Sequence, residues 1–251
     1  MSSQPFLSWR QPGYDLLSGR GIEIGAFEHP ARLPASCRVA YCDAITPEEA
    51  QKLFPEISTA SFKKIDHLVN LNTGRLHPFR NASLDFVIFN HVIEHLVNPI
   101  RALKEVLRVL RPGGMLVVGA PDRDYTFDRH RPLTAFAHLY NDYVNNVTSA
   151  SPEEYLDIAR YIFPEYMTLP LDDLRAHLLN WQSRREHLHV WTSVSFRDFL
   201  DSSFDLFGER PQLVYEAGGT QTAFEYFGVW RRDHPRGVRG VFSRLRHRSR
   251  P

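Results

Sequence analysis

A chain of 251 residues suits one full-sized core, and 43% hydrophobic with 24% charged residues is the make-up of an ordinary globular protein, which excludes disordered and fibrous classes. No run approaches the roughly 18 apolar residues of a membrane span, and Met1 to Trp9 lacks the plan of a signal peptide, so a cytoplasmic location is expected. The formal charge of +1 is unevenly spread: residues 231–251 hold eight arginines and one acid, a local +7 against −6 for the rest. Such an end can touch nucleic acid or an anionic membrane, but without an apolar face it reads first as a solvated tail. The two cysteines, Cys37 and Cys42, are too close for a disulfide framework and too few for a zinc site, and read as buried, inert thiols.

From Gly21 onward, short apolar runs alternate with helical patterns, the signature of a parallel sheet covered by helices. Gly21 to Gly25 reads as a first strand that breaks at glycine, and Arg38 to Asp43 as a second that ends in an acid. Thr46-Pro47-Glu48-Glu49 then starts a helix, with Thr46 as cap and Pro47 in the first turn. Ile65 to Leu71 is a weaker third strand and Leu84 to Asn90 a strong fourth. Asn98-Pro99 opens a helix whose apolar positions Ile100, Leu103, Val106, Leu107 and Leu110 keep helical spacing, stopped by Arg111-Pro112-Gly113-Gly114.

Met115 to Ala120 is a fifth strand. Residues from about 125 to 190 break the alternation and read as an inserted lid, with helical pieces near 152–163 and 171–182. A helix from about Ser195 to Phe207 follows, then strands Gln212 to Ala217 and Ala223 to Val229 around the turn Gly218-Gly219-Thr220. The expected architecture is a seven-stranded, Rossmann-like α/β domain over residues 1–232 with a helical lid after strand five, and a basic tail over 233–251.

Open α/β sheets bind ligands at the carboxyl ends of their strands, so the residues just after each strand carry the information. A glycine such as Gly25 lets backbone approach a ligand, and an acid such as Asp43 can accept from both hydroxyls of a ribose. A dinucleotide would want three spaced glycines; Gly25-Ala26-Phe27-Glu28 offers one glycine and an added acid, which disfavours a nicotinamide-dependent oxidoreductase. A nucleoside carrying a sulfonium and an amino group tolerates an acidic surround.

Taken together, Ile22-Glu23-Ile24-Gly25, Asp43, the run Asp85 to Leu96 with its Glu94-His95-Leu96, and Leu107 to Gly114 resemble the class I S-adenosylmethionine-dependent methyltransferases. The resemblance covers residues 20–122 well and 195–232 in outline, and points to the branch that methylates small molecules. Pro121 to Asp128 is similar to members of bacterial cell-surface and natural-product pathways. It implies S-adenosylmethionine as cofactor, with Glu23, Gly25 and Ala26 at its methionine end, Asp43 on the ribose, Asn72 accepting from the adenine amino group and Asn90 facing the transfer centre. It also implies an oxygen or nitrogen of a small polar acceptor, sugar-like or anionic, as methyl target.

His91 and His95 follow strand four and are candidate proton acceptors, an imidazole being suited to that task near neutral pH. His187 and His189 alternate as on an extended segment, which would point both rings to one side. Asp122, Arg123, Tyr125 and Arg129 are candidate acceptor-binding residues, and Arg131, Arg184 and Arg185 add to the hint of an anionic group. Asp122, Asp124, Asp128, His130, His187 and His189 could gather round an ion, but nothing in their spacing demands it and no metal is assigned. A non-catalytic nucleoside-binding scaffold is the remaining rival.

Overall fold

The computed structural model describes residues 7–56 and 62–233. The strands are β1 (Gly19–Ile24), β2 (Cys37–Asp43), β3 (His67–Leu68), β4 (Leu84–Asn90), β5 (Leu110–Pro121), β6 (Gln212–Ala217) and β7 (Glu225–Arg231). They form one sheet in the order β3-β2-β1-β4-β5-β7-β6, with β7 antiparallel to both neighbours and the other pairs parallel. The chain runs outward from β1 to β3 and then returns to lay β4 against β1, so the order reverses between β1 and β4. That reversal opens a crevice at their carboxyl ends.

β4 shows why the centre is stable. Val87 and Phe89 face one side of the sheet, Phe86 and Ile88 the other, and all four are fully buried. A strand covered on both faces reads as a continuous apolar run rather than an alternation. One face is covered by α3 (Pro99–Val109), capped by the Asn98 side chain, and α7 (Ser193–Phe207), whose Phe196, Phe199, Leu200, Ser203 and Phe204 fall on one stripe. Tyr14 at the end of α1 (Gln11–Tyr14), with Leu17, packs on the other face. Helix α2 (Pro47–Leu53) begins with the expected cap, Thr46 accepting from Glu49 N–H while the Glu49 carboxylate accepts from Thr46 N–H.

Between β5 and α7 lie α4 (Phe136–Val144), α5 (Leu156–Tyr161) and α6 (Leu171–Arg184). Around Tyr155, Ile158, Leu174 and Leu178 they build an apolar cluster of their own. The third strand is shorter than expected because Asn70 starts a turn, its Oδ1 accepting from Asn72 N–H and its carbonyl from Gly74 N–H. Strand five is longer: Leu110 already pairs with Leu84, so Arg111 to Gly114 belongs to the strand. The turn at Gly218-Gly219-Thr220 is one helical turn, α8 (Gly219–Thr222). Cys37 is only half-buried, and burial raises the pKa of both thiols. Arg232 is tied to the body by bonds to the Leu107 and Leu110 carbonyls; residues 234–251 of the basic tail lie outside the described residues.

Candidate active site

The crevice between β1 and β4 holds a cavity of about 260 Å³. Gly25, Asp43, Asn72, His91 and His95 all line it. Gly25 has φ +72°, and a Cβ there would fall 2.6 Å from Val92 Cγ2. Glycine is therefore required both by the turn and by the approach of the β4 loop. Asp43 is buried; its Oδ1 accepts from Ala44 N–H (2.7 Å) and Ile45 N–H (3.3 Å), and burial raises its pKa. Apolar side chains, among them Ile45, Leu71 and Leu96, make up much of the remaining wall, with Asn70 as a polar group that the motif reading overlooked.

Asn72 Oδ1 accepts from Val97 N–H (2.9 Å). An amide oxygen has a second lone pair, so the expected bond from an adenine amino group remains open to it. Three other expected cofactor residues do not line the cavity. Glu23 alternates with Ile22 and Ile24 and so faces the opposite side of the sheet, where both its oxygens accept from Ala31 N–H (3.0 and 3.1 Å). Burial there lifts its carboxyl to about 7 despite the Ala31 bond and the charges of Arg10 and Lys63. Ala26 sits in a small separate pocket with Tyr41 and Thr46, and Asn90 donates from Nδ2 to the Tyr14 hydroxyl (3.0 Å).

Past β4 the backbone kinks at His91 (φ +51°) into a short 3-10 turn, Ile93–His95. His91 Nε2 bonds Glu225 Oε2 (2.7 Å), its ring stacks on Phe224, and its Nδ1 lies 3.5 Å from Glu94 Oε1. Burial pulls this imidazole's pKa down, but the bond to Glu225 and the neighbouring Glu94 carboxylate outweigh it and push it up to about 9. Glu225 also accepts from Trp9 Nε1 and Arg10 Nε, 2.7 Å each, so a cation and an imidazolium hold one buried carboxylate.

His95 Nδ1 bonds the Arg185 carbonyl (2.6 Å), and burial lowers its pKa. A carbonyl only accepts, so Nδ1 carries the hydrogen and Nε2 the lone pair. The His187 ring packs edge-on against His95 with centroids 4.8 Å apart, and its Nδ1 bonds Asp128 Oδ2 (2.7 Å).

His189 does not join them. Leu188 N–H and His189 N–H both donate to the Glu94 carbonyl, which kinks the extended segment and breaks the expected alternation. His189 is instead fully enclosed, Nε2 on the Leu96 carbonyl (2.8 Å), and burial together with His138 holds its pKa down to about 3. It is a neutral packing residue.

The expected acceptor-binding residues also lie off the cavity. The Asp122 carboxylate is buried, accepting from Ser193 N–H and Oγ and from Asp124 N–H, and so fastens β5 to the start of α7. Arg123 reaches the Arg131 carbonyl and Asp124, while Tyr125 and Arg129 are exposed on the outer surface. Arg131 is enclosed by Asp128 and Asp157, an internal tie rather than an anion site. Arg184 does line the cavity: it bonds the Leu53 carbonyl and Glu56 and lies 4.6 Å over the Phe54 ring, pinning α6 to the end of α2.

Residues 22–118 match the methyltransferase-domain family. A Mycolicibacterium smegmatis protein named a probable S-adenosylmethionine-dependent methyltransferase is 32% identical over 111 residues, 41% of this chain and 43% of that protein. An uncharacterized 37.1 kDa protein of a Streptomyces fradiae transposon is 43% identical over 58 residues, 22% of this chain and 17% of its own. The matches thus span less than half the length of either relative. Among solved structures, one from Rhodobacter sphaeroides named for Zn-dependent alcohol dehydrogenases superposes with TM-score 0.51 at 13% identity over 86% of this chain and 85% of that one, which bears on the fold alone. Over residues 22–118 the chain is thus similar to S-adenosylmethionine-dependent methyltransferases. No helix among the described residues is long and apolar enough to cross a membrane.

The cavity suits that cofactor: a glycine turn with no room for a Cβ, a buried acid with one oxygen unused by the loop, and apolar walls for a base.

Proposed function

We propose that this protein transfers a methyl group from S-adenosylmethionine to an oxygen or nitrogen of a small polar acceptor in a biosynthetic pathway. The observation that carries this reading is that one cavity is lined both by Asp43, the buried acid ending β2, and by His91 and His95, the imidazoles following β4. Asp43 would accept from the ribose hydroxyls, the role an acid at this point of a doubly wound sheet can fill. Gly25 lets the backbone approach the amino-acid end, and Asn72 and the apolar wall hold the base.

S-adenosylmethionine, when bound, supplies an electrophilic methyl on a sulfonium. The protein's part is to align acceptor and methyl, and to keep water out. Arg184 ties α6 to the end of α2 beside the cavity. An oxygen or ammonium acceptor must also lose a proton, and His95, which lines the cavity and keeps its Nε2 lone pair, would take it. A nicotinamide cofactor is disfavoured by the single-glycine turn.

Titration with S-adenosylhomocysteine tests the reading. Binding is expected in the wild type, and Asp43→Ala should weaken it by roughly 10- to 100-fold, the loss of a hydrogen bond to a charged group. An unchanged dissociation constant removes Asp43 from the site, and no binding by the wild type removes the function.

A further inference from the structure

The six acids and histidines of 122–130 and 187–189 do not converge. Asp122 is spent on Ser193, Asp128 on His187 and Arg131, and His189 on Leu96, while Asp124 and His130 are exposed. A different set does converge: one donor atom each from Glu94, His95 and His187 lies within 4.8 Å of the others.

We propose that Glu94, His95 and His187 bind a first-row divalent transition-metal cation at the edge of the cavity. Glu94 is 1% exposed, and neither of its carboxylate oxygens has a hydrogen-bond partner. Part of the cost of burying this carboxylate is offset by His91, whose Nδ1 lies 3.5 Å from Oε1, and the carboxylate's unused lone pairs are open to a metal cation. The nearest polar groups are imidazoles, His91 Nδ1 at 3.5 Å and His95 Nε2 at 3.8 Å from Oε1.

Both histidines are set up as ligands. Each donates its Nδ1 hydrogen away from the cluster, His95 to the Arg185 carbonyl and His187 to the Asp128 carboxylate, which leaves both Nε2 lone pairs open. Asp128 is in turn held by Arg131, whose guanidinium also bonds the His187 carbonyl, so the ring opposite Glu94 is fixed from behind. The Glu94 carbonyl accepts from Leu188 and His189 N–H, which brings the two ligand-bearing segments together.

Two imidazoles and one carboxylate suit zinc, cobalt or iron(II) rather than magnesium or calcium. Bonds of roughly 2.0–2.2 Å need the three donors about 3–3.5 Å apart, so a rotation of the side chains inward completes the site. Three protein ligands leave positions open, and His95 also lines the cavity. On the methyl-transfer reading, the open positions would take the acceptor's oxygen, which selects acceptors with a hydroxyl that can coordinate.

The test is direct titration of Co2+ into tag-free, chelator-stripped protein, without cofactor or acceptor, followed by calorimetry and by visible d–d absorption. One equivalent of Co2+ is expected, with Mg2+ at least ~100-fold weaker. His187→Ala and Glu94→Gln should each abolish the visible bands, His187→Ala also lowering the thermal stability of the metal-free protein by removing the partner of buried Asp128. Asp128→Asn should weaken Co2+ about 10- to 100-fold. Absence of saturable Co2+ binding, or binding that survives both His187→Ala and Glu94→Gln, overturns the proposal. Because no cofactor is present, the outcome does not depend on whether S-adenosylhomocysteine binds.

Discussion

Glu23 is a buried acid whose cost can be measured. It is 4% exposed, its one hydrogen-bond donor among the described residues is the Ala31 N–H, and burial raises its pKa from 4.5 to about 7. A raised acid favours folding while it is protonated. Its contribution is therefore complete below pH 4.5 and is lost as the pH climbs to about 7. A shift of this size corresponds to about 3 kcal/mol at roughly 1.4 kcal/mol per unit. Glu23→Gln keeps an oxygen for the single Ala31 donor and cannot ionise. Urea unfolding of both proteins between pH 4 and pH 8.5 should give stabilities that agree within about 1 kcal/mol at the acid end. Above pH 7 the variant should be the more stable by about 2–3 kcal/mol. A difference that does not change with pH, or a variant less stable at pH 8, would refute the assignment of Glu23 as a buried, uncompensated carboxyl.

Two more substitutions probe the site's frame. Gly25→Ala should cost about 1–2 kcal/mol from the left-handed backbone alone, plus the overlap with Val92; in a double-mutant cycle Val92→Ala should recover the second part, and strict additivity would show that the two loops do not press on each other. Asp122→Ala removes the acceptor for Ser193 N–H and Oγ, so it should lower stability by about 1–3 kcal/mol in chemical unfolding while leaving the S-adenosylhomocysteine dissociation constant unchanged. A weakened ligand with intact stability would instead return Asp122 to the binding surface.

The boundaries that sequence reading placed best are those with a local cause. Thr46 and Glu49 satisfy each other's amides within four residues, Asn98 caps α3 three residues ahead, and Leu84 to Asn90 is apolar enough to be covered on both faces wherever it lies. Gly25 and Asp43 were legible for a related reason: a strand end marked by glycine or an acid declares the carboxyl edge of the sheet, and both line the cavity. The third strand was misjudged because an edge strand is as long as its single neighbour allows, and the turn at Asn70 ends the pairing with β2.

Side-chain direction was the part that only packing could decide. Glu23 and Asp43 look alike as acids near strand ends, yet the pleat sends Glu23 to the face away from the cavity. His187 and His189 share a spacing that promises a common side, but the Glu94 carbonyl takes both following amides and twists the segment between them. One imidazole thereby meets Glu94 and His95, while the other is sealed against Leu96. The antiparallel β7, which delivers Glu225 to His91, is likewise set by which strand edge was left open beside β5. Cap, strand and turn residues could be read from the chain alone, because their energetics are settled among near neighbours. The tertiary structure decided which distant groups face one another, because that depends on register, twist and the faces already buried.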